Sequence, residues 1–270
     1  MQKPFIVAVE TSSRIGSVAI ALGEKILAET AFSAPIRHSA EIFPAIGDIL
    51  HRFGRKPGQI EQVHISVGPG SFTGLRIAVT LAKTMHLANA AKIVAVDTLD
   101  VIAANANDYI NEKNTTTTFH SKHSPCHSEH SPCHSERSEE SPERIAAITD
   151  AKRGHFFIAV YKRNTSDEQP ATSDGIWEKV FPDSLMTPSQ FLDQFACDEK
   201  PIWLLGDGLL YYKDKFKADT VRFLHGKYWS PRASKVHLLG WKKASVNQFA
   251  DPLTLTPNYL LRPDIKIKPR

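Results

Sequence analysis

The stretch that decides the fold is Ser66-Val67-Gly68-Pro69-Gly70-Ser71-Phe72-Thr73-Gly74-Leu75-Arg76. Residues 63–67, which lead into it, alternate branched and polar side chains as a strand does, and residues 72–88 repeat apolar side chains at helical spacing. Three glycines, a proline and two hydroxyls favour a tight turn between this strand and this helix. Because the N-terminus of a helix presents backbone N–H groups, the turn is a candidate anion site, and an ordinary glycine-rich connection is the alternative. The stretch matches neither a Walker loop nor a dinucleotide fingerprint.

The pattern around this turn predicts two similar halves. In the first half we predict strands at 5–9, 16–22, 25–31, 63–67 and 93–96, and helices at 38–53, 72–88 and 99–110. In the second half we predict strands at 145–149, 156–161, 177–181 and 202–205, and helices at 188–196, 209–216 and 234–248. Two halves of order βββαβαβα are the arrangement of the actin/hexokinase/Hsp70 type of fold, a two-lobed α/β architecture.

The glycine stretch and the opening residues Phe5–Ser13 resemble the TsaB (YeaZ) family, part of the bacterial machinery that makes threonylcarbamoyladenosine beside the tRNA anticodon. The resemblance covers roughly residues 4–110 and resumes at 150–154 and 205–208. It implies the same two-lobed fold, with residues 1–111 as the N-terminal lobe and 145–270 as the C-terminal lobe. The sequence departs from the family at Glu10, where an aspartate is usual.

A nucleotide cleft is the expectation that follows from this fold, in which phosphates lie between the lobes against the turns after the first strand of each half. Here those turns contain an acid, hydroxyls and a Lys-Arg pair, and a glycine pair follows a later strand. The candidate cleft residues are Glu10, Thr11, Ser12, Asp150, Gly206 and Gly208. They keep open an alternative function, a nucleotide-dependent phosphotransferase or ATPase, and short polar turns are the simpler explanation.

The resemblance also bears on catalysis. The catalytic sister family, TsaD, carries a His-x-x-x-His metal pair after the fifth strand of its first half, and Thr98 and Ile102 stand at those positions here. Neither side chain is a ligand for a transition metal. The resemblance therefore implies a subunit without a metal site or catalytic residues, inactive when isolated.

Partner binding is the activity that the resemblance implies instead. In TsaB proteins the first two helices of the N-terminal lobe pack against a TsaD subunit or a second TsaB copy. The candidate interface residues in those helices are Ile42, Ile46, Ile49, Phe53, Arg76 and Thr80. The implied role is a scaffold or dimerisation subunit that organises a TsaD-like catalytic subunit, joined by a TsaE-like ATPase, with tRNA binding to the complex.

Composition limits the compartment and the partners to be expected for this chain. The chain has 270 residues, 41% of them hydrophobic, three cysteines and a net charge of +4. It has no apolar run long enough to cross a membrane and no cysteine framework, so we expect a cytoplasmic protein. Residues 200–270 hold 14 Lys and Arg against 5 Asp and Glu, which favours either a surface for nucleic acid or a solvated basic face with a basic tail.

Residues 112–144 contain a seven-residue repeat, beginning at His120, His127 and His134. The segment 114–142 has almost no apolar side chain to bury, so we predict a disordered surface insertion between the lobes. Cys126 and Cys133 lie among histidines and keep a metal site open, although the spacing of six residues lacks the close pair of structural zinc sites.

Overall fold

The computed structural model describes residues 3–35, 37–120, 141–164, 177–197 and 199–260, without the side chains of 114–120. The His/Cys repeat over 121–140 and the basic residues Arg262, Lys266, Lys268 and Arg270 lie outside the described residues. The strands are β1 Phe5–Glu10, β2 Ser17–Leu22, β3 Lys25–Ala31, β4 Gln62–Gly68, β5 Lys92–Asp97, β6 Arg144–Lys152, β7 His155–Arg163, β8 Trp177–Met186, β9 Ile202–Leu205 and β10 Val221–Phe223. The helices are α1 His38–Arg52, α2 Phe72–Asn89, α3 Thr98–Ala103, α4 Ala106–His120, α5 Pro188–Phe195, α6 Leu209–Tyr212 and α7 Ala233–Ser245.

The two sheets have the same strand order. The first sheet is β3-β2-β1-β4-β5, and the second, read from its other edge, is β8-β7-β6-β9-β10. In each sheet the first strand pairs antiparallel with the second and parallel with the fourth. The duplicated, two-lobed actin-like α/β fold predicted from the sequence is confirmed.

The position of a strand in its sheet explains whether its sequence is apolar throughout or alternates. β1 lies in the centre of its sheet with helices on both faces, and all six of its residues are buried. β8 is an edge strand whose residues alternate between exposed and half-buried, and it tolerates Pro182, which cannot donate to a ladder.

Helices from each half of the chain pack on the sheet of the other lobe. Leu99, Ile102 and Ala106 of α3 and α4 belong to the hydrophobic core of the second sheet. Ala233 and Val236 of α7 pack on the first sheet, on the face opposite α1 and α2. The lobes therefore interlock, and the proposed boundary at residue 111 does not divide the core.

The element boundaries depart from prediction at several places. The helix predicted over 99–110 is two helices, and α4 runs to His120, into the segment predicted to be disordered. The helix predicted over 209–216 is α6 followed by a 3₁₀ turn, and β10 was missed because it has only three residues. β8 extends five residues beyond the predicted end, because its outward face is polar and lacks a strong apolar signal.

Candidate functional site

Glu10 lies at the end of β1, where the cleft between the lobes begins. Its side chain is fully buried, and its Oε1 accepts hydrogen bonds from the Ser12 backbone N–H at 2.6 Å and from the Ser12 hydroxyl at 2.5 Å. The other carboxylate oxygen has no hydrogen-bond partner among the described residues. Burial raises the pKa of Glu10, and the Ser12 hydrogen bonds oppose that rise only in part.

Asp207 closes the cleft from the opposite lobe. Its two oxygens accept hydrogen bonds from the Ser13 hydroxyl at 2.7 Å and from the Thr149 hydroxyl at 2.6 Å, so one carboxylate ties the first turn of the N-terminal lobe to β6. Burial raises the pKa of Asp207 as well, against those two hydrogen bonds. The floor of the cleft thus holds two buried acids.

The glycine motif packs onto the first turn and does not form an open cradle. A Cβ on Gly74 would lie 1.8 Å from the Thr11 carbonyl oxygen, and one on Gly70 would lie 2.5 Å from the Ser12 carbonyl oxygen. The Ser71 N–H donates to the Ser12 carbonyl at 2.7 Å, and the Gly74 N–H donates to the Ser71 hydroxyl at 3.3 Å. These two amides are used internally, and the glycines allow close packing of the backbone on the first turn.

The second set of cleft residues is also packed together. A Cβ on Gly206 would lie 2.0 Å from the Ile148 carbonyl oxygen, and one on Gly208 would lie 3.0 Å from the Thr149 carbonyl carbon. Asp150 accepts from the Lys152 backbone N–H at 2.8 Å and pairs with its Nζ at 2.7 Å. The structure therefore brings the predicted cleft residues into one region, but all of them except Asp150 are buried.

The two positions matched to the metal-binding histidines are internal. Thr98 is 1% exposed and Ile102 lies in the core of the second lobe. Among the described residues, no group of three or more His, Cys, Asp or Glu side chains is placed to hold a metal ion.

A lysine that the sequence analysis did not identify occupies the neighbourhood of these positions. The Lys179 Nζ lies 2.7 Å from an Asp100 oxygen and 2.8 Å from an Asp183 oxygen, and the Tyr161 hydroxyl donates to Asp100 at 2.8 Å. Burial alone lowers the pKa of Lys179, but the two carboxylates outweigh it and the pKa is raised. This fixed cation balances the acids after β5. Because Lys179 comes from a strand of the other lobe, no local motif signals it.

Three of the six predicted interface residues are buried. Ile42, Ile46 and Ile49 are 0%, 3% and 1% exposed and pack in the core of the first lobe. Periodicity alone does not say which of two apolar faces of a helix meets the sheet. Arg76 and Thr80 are exposed on α2, and Phe53 is 39% exposed just after α1.

An open groove runs between α1 and α2. Its lining residues are Ser39, Ile42, Phe43, Phe72, Thr73, Arg76, Ile77, Thr80, Leu81 and Thr84. Phe43 is 60% exposed and stands on the groove, and buried Ile42 contributes to its lining. Gly47, one turn after Phe43, lies inside the helix, and a Cβ added to it would meet no described atom within 4 Å. A glycine there costs about 0.5–1 kcal/mol against alanine, and no contact within the described lobe explains it.

The basic C-terminal part is partly neutralised within the molecule. Arg232 and Lys235 both pair with Asp108, Lys227 pairs with Glu112, and Lys217 pairs with Asp214. Several basic side chains of residues 200–260 therefore form ion pairs within the protein. No helix among the described residues has the length and hydropathy needed to cross a membrane.

Several known proteins are similar to this chain. Residues 26–117 match the family model described as "TsaD: tRNA N6-adenosine threonylcarbamoyltransferase". The tRNA threonylcarbamoyladenosine biosynthesis protein TsaB of Bacillus subtilis (strain 168) is 25% identical over 94% of this chain and 93% of that protein. TsaB of Escherichia coli (strain K12) is 26% identical over 68% of this chain and 62% of that protein. YeaZ from Pseudomonas aeruginosa, a solved structure, is 19% identical and has the same fold, with a TM-score of 0.70 over 95% of this chain and all of that one.

The duplicated fold, the glycine motif packed on the first turn and the relatives that match nearly the whole chain agree with one another. The chain is similar to TsaB (YeaZ) proteins over nearly its whole length.

Proposed function

We propose that this protein is the non-catalytic subunit of the complex that makes threonylcarbamoyladenosine in tRNA, and that it docks a TsaD-like catalytic subunit through α1 and α2. The relatives named as tRNA threonylcarbamoyladenosine biosynthesis proteins supply the pathway. The groove between α1 and α2 is the observation that carries the docking role.

The composition of this surface supports helix docking. Ser39, Thr80 and Thr84 are small exposed residues of the groove lining, Gly47 is exposed elsewhere on α1, and one large side chain, Phe43, projects from the groove. Small residues let a second helix approach closely, and a single exposed aromatic ring is a common anchor at interface centres. Gly47 lies inside α1, where glycine is unfavourable, and a Cβ there would meet no atom of the described residues within 4 Å. A partner backbone that passes close to this position would explain why a glycine occupies it.

The closed cleft supports an accessory role over an independent enzyme. Glu10, Thr11 and Ser12 are buried, and the Ser13–Asp207 hydrogen bond crosses between the lobes at the place where the fold would hold phosphates. A phosphotransferase or ATPase would need that space and a counter-charge for the phosphates. A TsaE-like ATPase and tRNA are proposed as further members of the assembly, with the tRNA contacting the complex as a whole.

A transfer assay on unmodified tRNA tests the proposal. The isolated chain, with or without added iron or zinc, is expected to transfer no threonylcarbamoyl group, and activity is expected when a TsaD-like subunit is added. The variant Gly47→Leu is expected to remove this stimulation while leaving the fold intact, because the new side chain occupies open space in the free protein. Transfer by the purified chain alone, or full stimulation by the leucine variant, would contradict the proposal.

A further inference from the structure

The C-terminal strap, residues 250–259, follows α7 and reaches the face of the first sheet opposite that helix. The Ala250 N–H donates to the Ile93 carbonyl at 2.8 Å, Leu255 is buried in the core of the first lobe, and the Asn258 N–H donates to the Val67 carbonyl at 2.7 Å. The Asn258 carbonyl oxygen lies 2.6 Å from where a Cβ on Gly68 would be. The strap is therefore fixed at the start of the glycine motif, close to the first turn of α2.

Tyr259 at the end of this strap contacts Arg76. The Arg76 Nε donates to the Tyr259 hydroxyl at 3.1 Å, and the guanidinium carbon lies 3.8 Å from the centre of the Phe72 ring. The Phe72 and Tyr259 rings are themselves 4.9 Å apart. Stacking on one face and a hydrogen bond at Nε hold the guanidinium in one orientation and leave its two terminal nitrogens to bind elsewhere.

Arg76 is the one charged residue among the described residues that line the α1–α2 groove. Within the described parts of the chain, no carboxylate lies within ion-pair distance of it, and its side chain is exposed. A fixed, unpaired guanidinium at the edge of an apolar groove suits a carboxylate that arrives with an apolar partner.

We infer that Arg76, oriented by Phe72 and by Tyr259 of the strap, is the anchor that receives a carboxylate of the TsaD-like subunit when a helix of that subunit occupies the groove. The inference rests on the proposed function and names one contact within it. It makes the strap, which is distant from α2 in sequence, part of the docking surface.

The chemistry of the groove favours a protein carboxylate over other anions. RNA binding draws on several cations for its phosphates, and the described lining of this groove offers one. A second copy of this chain has little to offer in return, because Glu41 of α1 already accepts from the Ser33 N–H at 2.6 Å and from the Ser33 hydroxyl at 2.8 Å. Asp48, exposed on α1, is the remaining carboxylate of that helix, and it lies outside the groove.

A calorimetric titration of the full chain with the TsaD-like subunit of the same organism, at low and high salt, tests this contact. Arg76→Gln is expected to weaken binding about 30-fold at low salt and to flatten its salt dependence. Tyr259→Phe is expected to weaken it about 3-fold, and to add nothing when combined with Arg76→Gln, because the tyrosine acts through the arginine. Lys83→Gln removes a charge from the same helix outside the groove and is the matched control, with an expected change of less than about twofold.

Gly47→Leu, measured in the same titration, separates this inference from the proposed function. If Gly47→Leu abolishes binding and Arg76→Gln leaves it at the level of the lysine control, the anchor is wrong and the docking surface stands. If neither variant weakens binding, the docking surface itself is wrong. If Arg76→Gln and Asp48→Asn equally disrupt a dimer of this chain in sedimentation while TsaD-like binding is unchanged, the carboxylate belongs to a second copy and the inference is overturned.

Discussion

The cleft between the lobes and the outer surface of α1 and α2 both contain small, hydroxylated and charged residues, yet they differ in access to solvent. In the cleft, Glu10, Thr11 and Ser12 are buried, and Gly74 lies so close to the Thr11 carbonyl that a side chain cannot fit. On α1, Gly47 faces open space and Phe43 is 60% exposed. The same residue types therefore serve internal packing in one region and leave room for a partner in the other.

The largest expected effect contrasts two neighbouring residues of α1. Ile46→Glu places a carboxylate in the core of the first lobe and is expected to lower the free energy of unfolding by more than about 4 kcal/mol, so the protein unfolds. Phe43→Glu changes an exposed side chain and is expected to leave the chain folded but unable to bind a TsaD-like subunit. Circular dichroism with urea titration, followed by a pull-down, measures both. A folded Ile46→Glu variant would show that the two faces of α1 are assigned wrongly.

This contrast marks what the sequence could and could not predict. Most of the order of strands and helices along the chain, and the strand–turn–helix at the glycine motif, followed from periodicity and turn residues, because those signals are local. The burial of Ile46 did not follow, because both apolar faces of α1 carry the same spacing and only the sheet decides between them. Lys179 and Tyr259 reach their partners across the fold, so no local pattern marks them.

Two glycine substitutions sharpen the comparison between the cleft and the helix surface. Gly74→Ala is expected to cost about 3 kcal/mol, because the added carbon would lie 1.8 Å from a backbone oxygen that cannot move freely. Gly47→Ala is expected to stabilise the protein by about 0.5–1 kcal/mol, because it removes a helix-interior glycine without new contacts. Equilibrium urea denaturation measures both changes. Equal and small effects at the two positions would contradict the close packing of the glycine motif.

A buried histidine of the first sheet, His64, leads us to expect that stability depends on pH. His64 of β4 is buried against Gly240 and stacks on His237 of α7 with ring centres 5.4 Å apart. Burial lowers the pKa of His64 to about 3, so the folded protein keeps it neutral while the unfolded chain protonates it near 6.5. The contribution of His64 to stability is therefore complete well above pH 6.5 and is lost as the pH decreases from 6.5 toward 3.

Between about pH 7.5 and pH 5.0 this histidine is expected to remove about 2 kcal/mol from the free energy of unfolding. His64→Gln is expected to reduce that slope, and His51→Gln, at an exposed position of α1, is the control that keeps it. Urea denaturation at both pH values gives the measurement. A wild-type protein equally stable at the two values would show that His64 titrates normally.

The smallest expected effect concerns the repeat, which lies outside the described residues. Replacing residues 121–140 with a short Gly-Ser linker removes almost no apolar surface, and the shorter connection changes loop-closure entropy by about 1 kcal/mol in the stabilising direction. The deletion begins after His120 because α4 extends that far. The melting temperature is the readout. Unfolding of the deletion variant, or stoichiometric zinc retained by the intact chain after dialysis, would indicate a structural metal site in the repeat.

The central claim is that α1 and α2 form the docking surface for a TsaD-like catalytic subunit. The most direct test is a calorimetric titration of that subunit with the wild-type chain and with the Gly47→Ala and Gly47→Leu variants, after both variants are verified as folded. We expect near wild-type affinity for the alanine variant and a loss of at least about 100-fold for the leucine variant, because only the larger side chain blocks close helix approach. Unchanged affinity of a folded Gly47→Leu variant would contradict it.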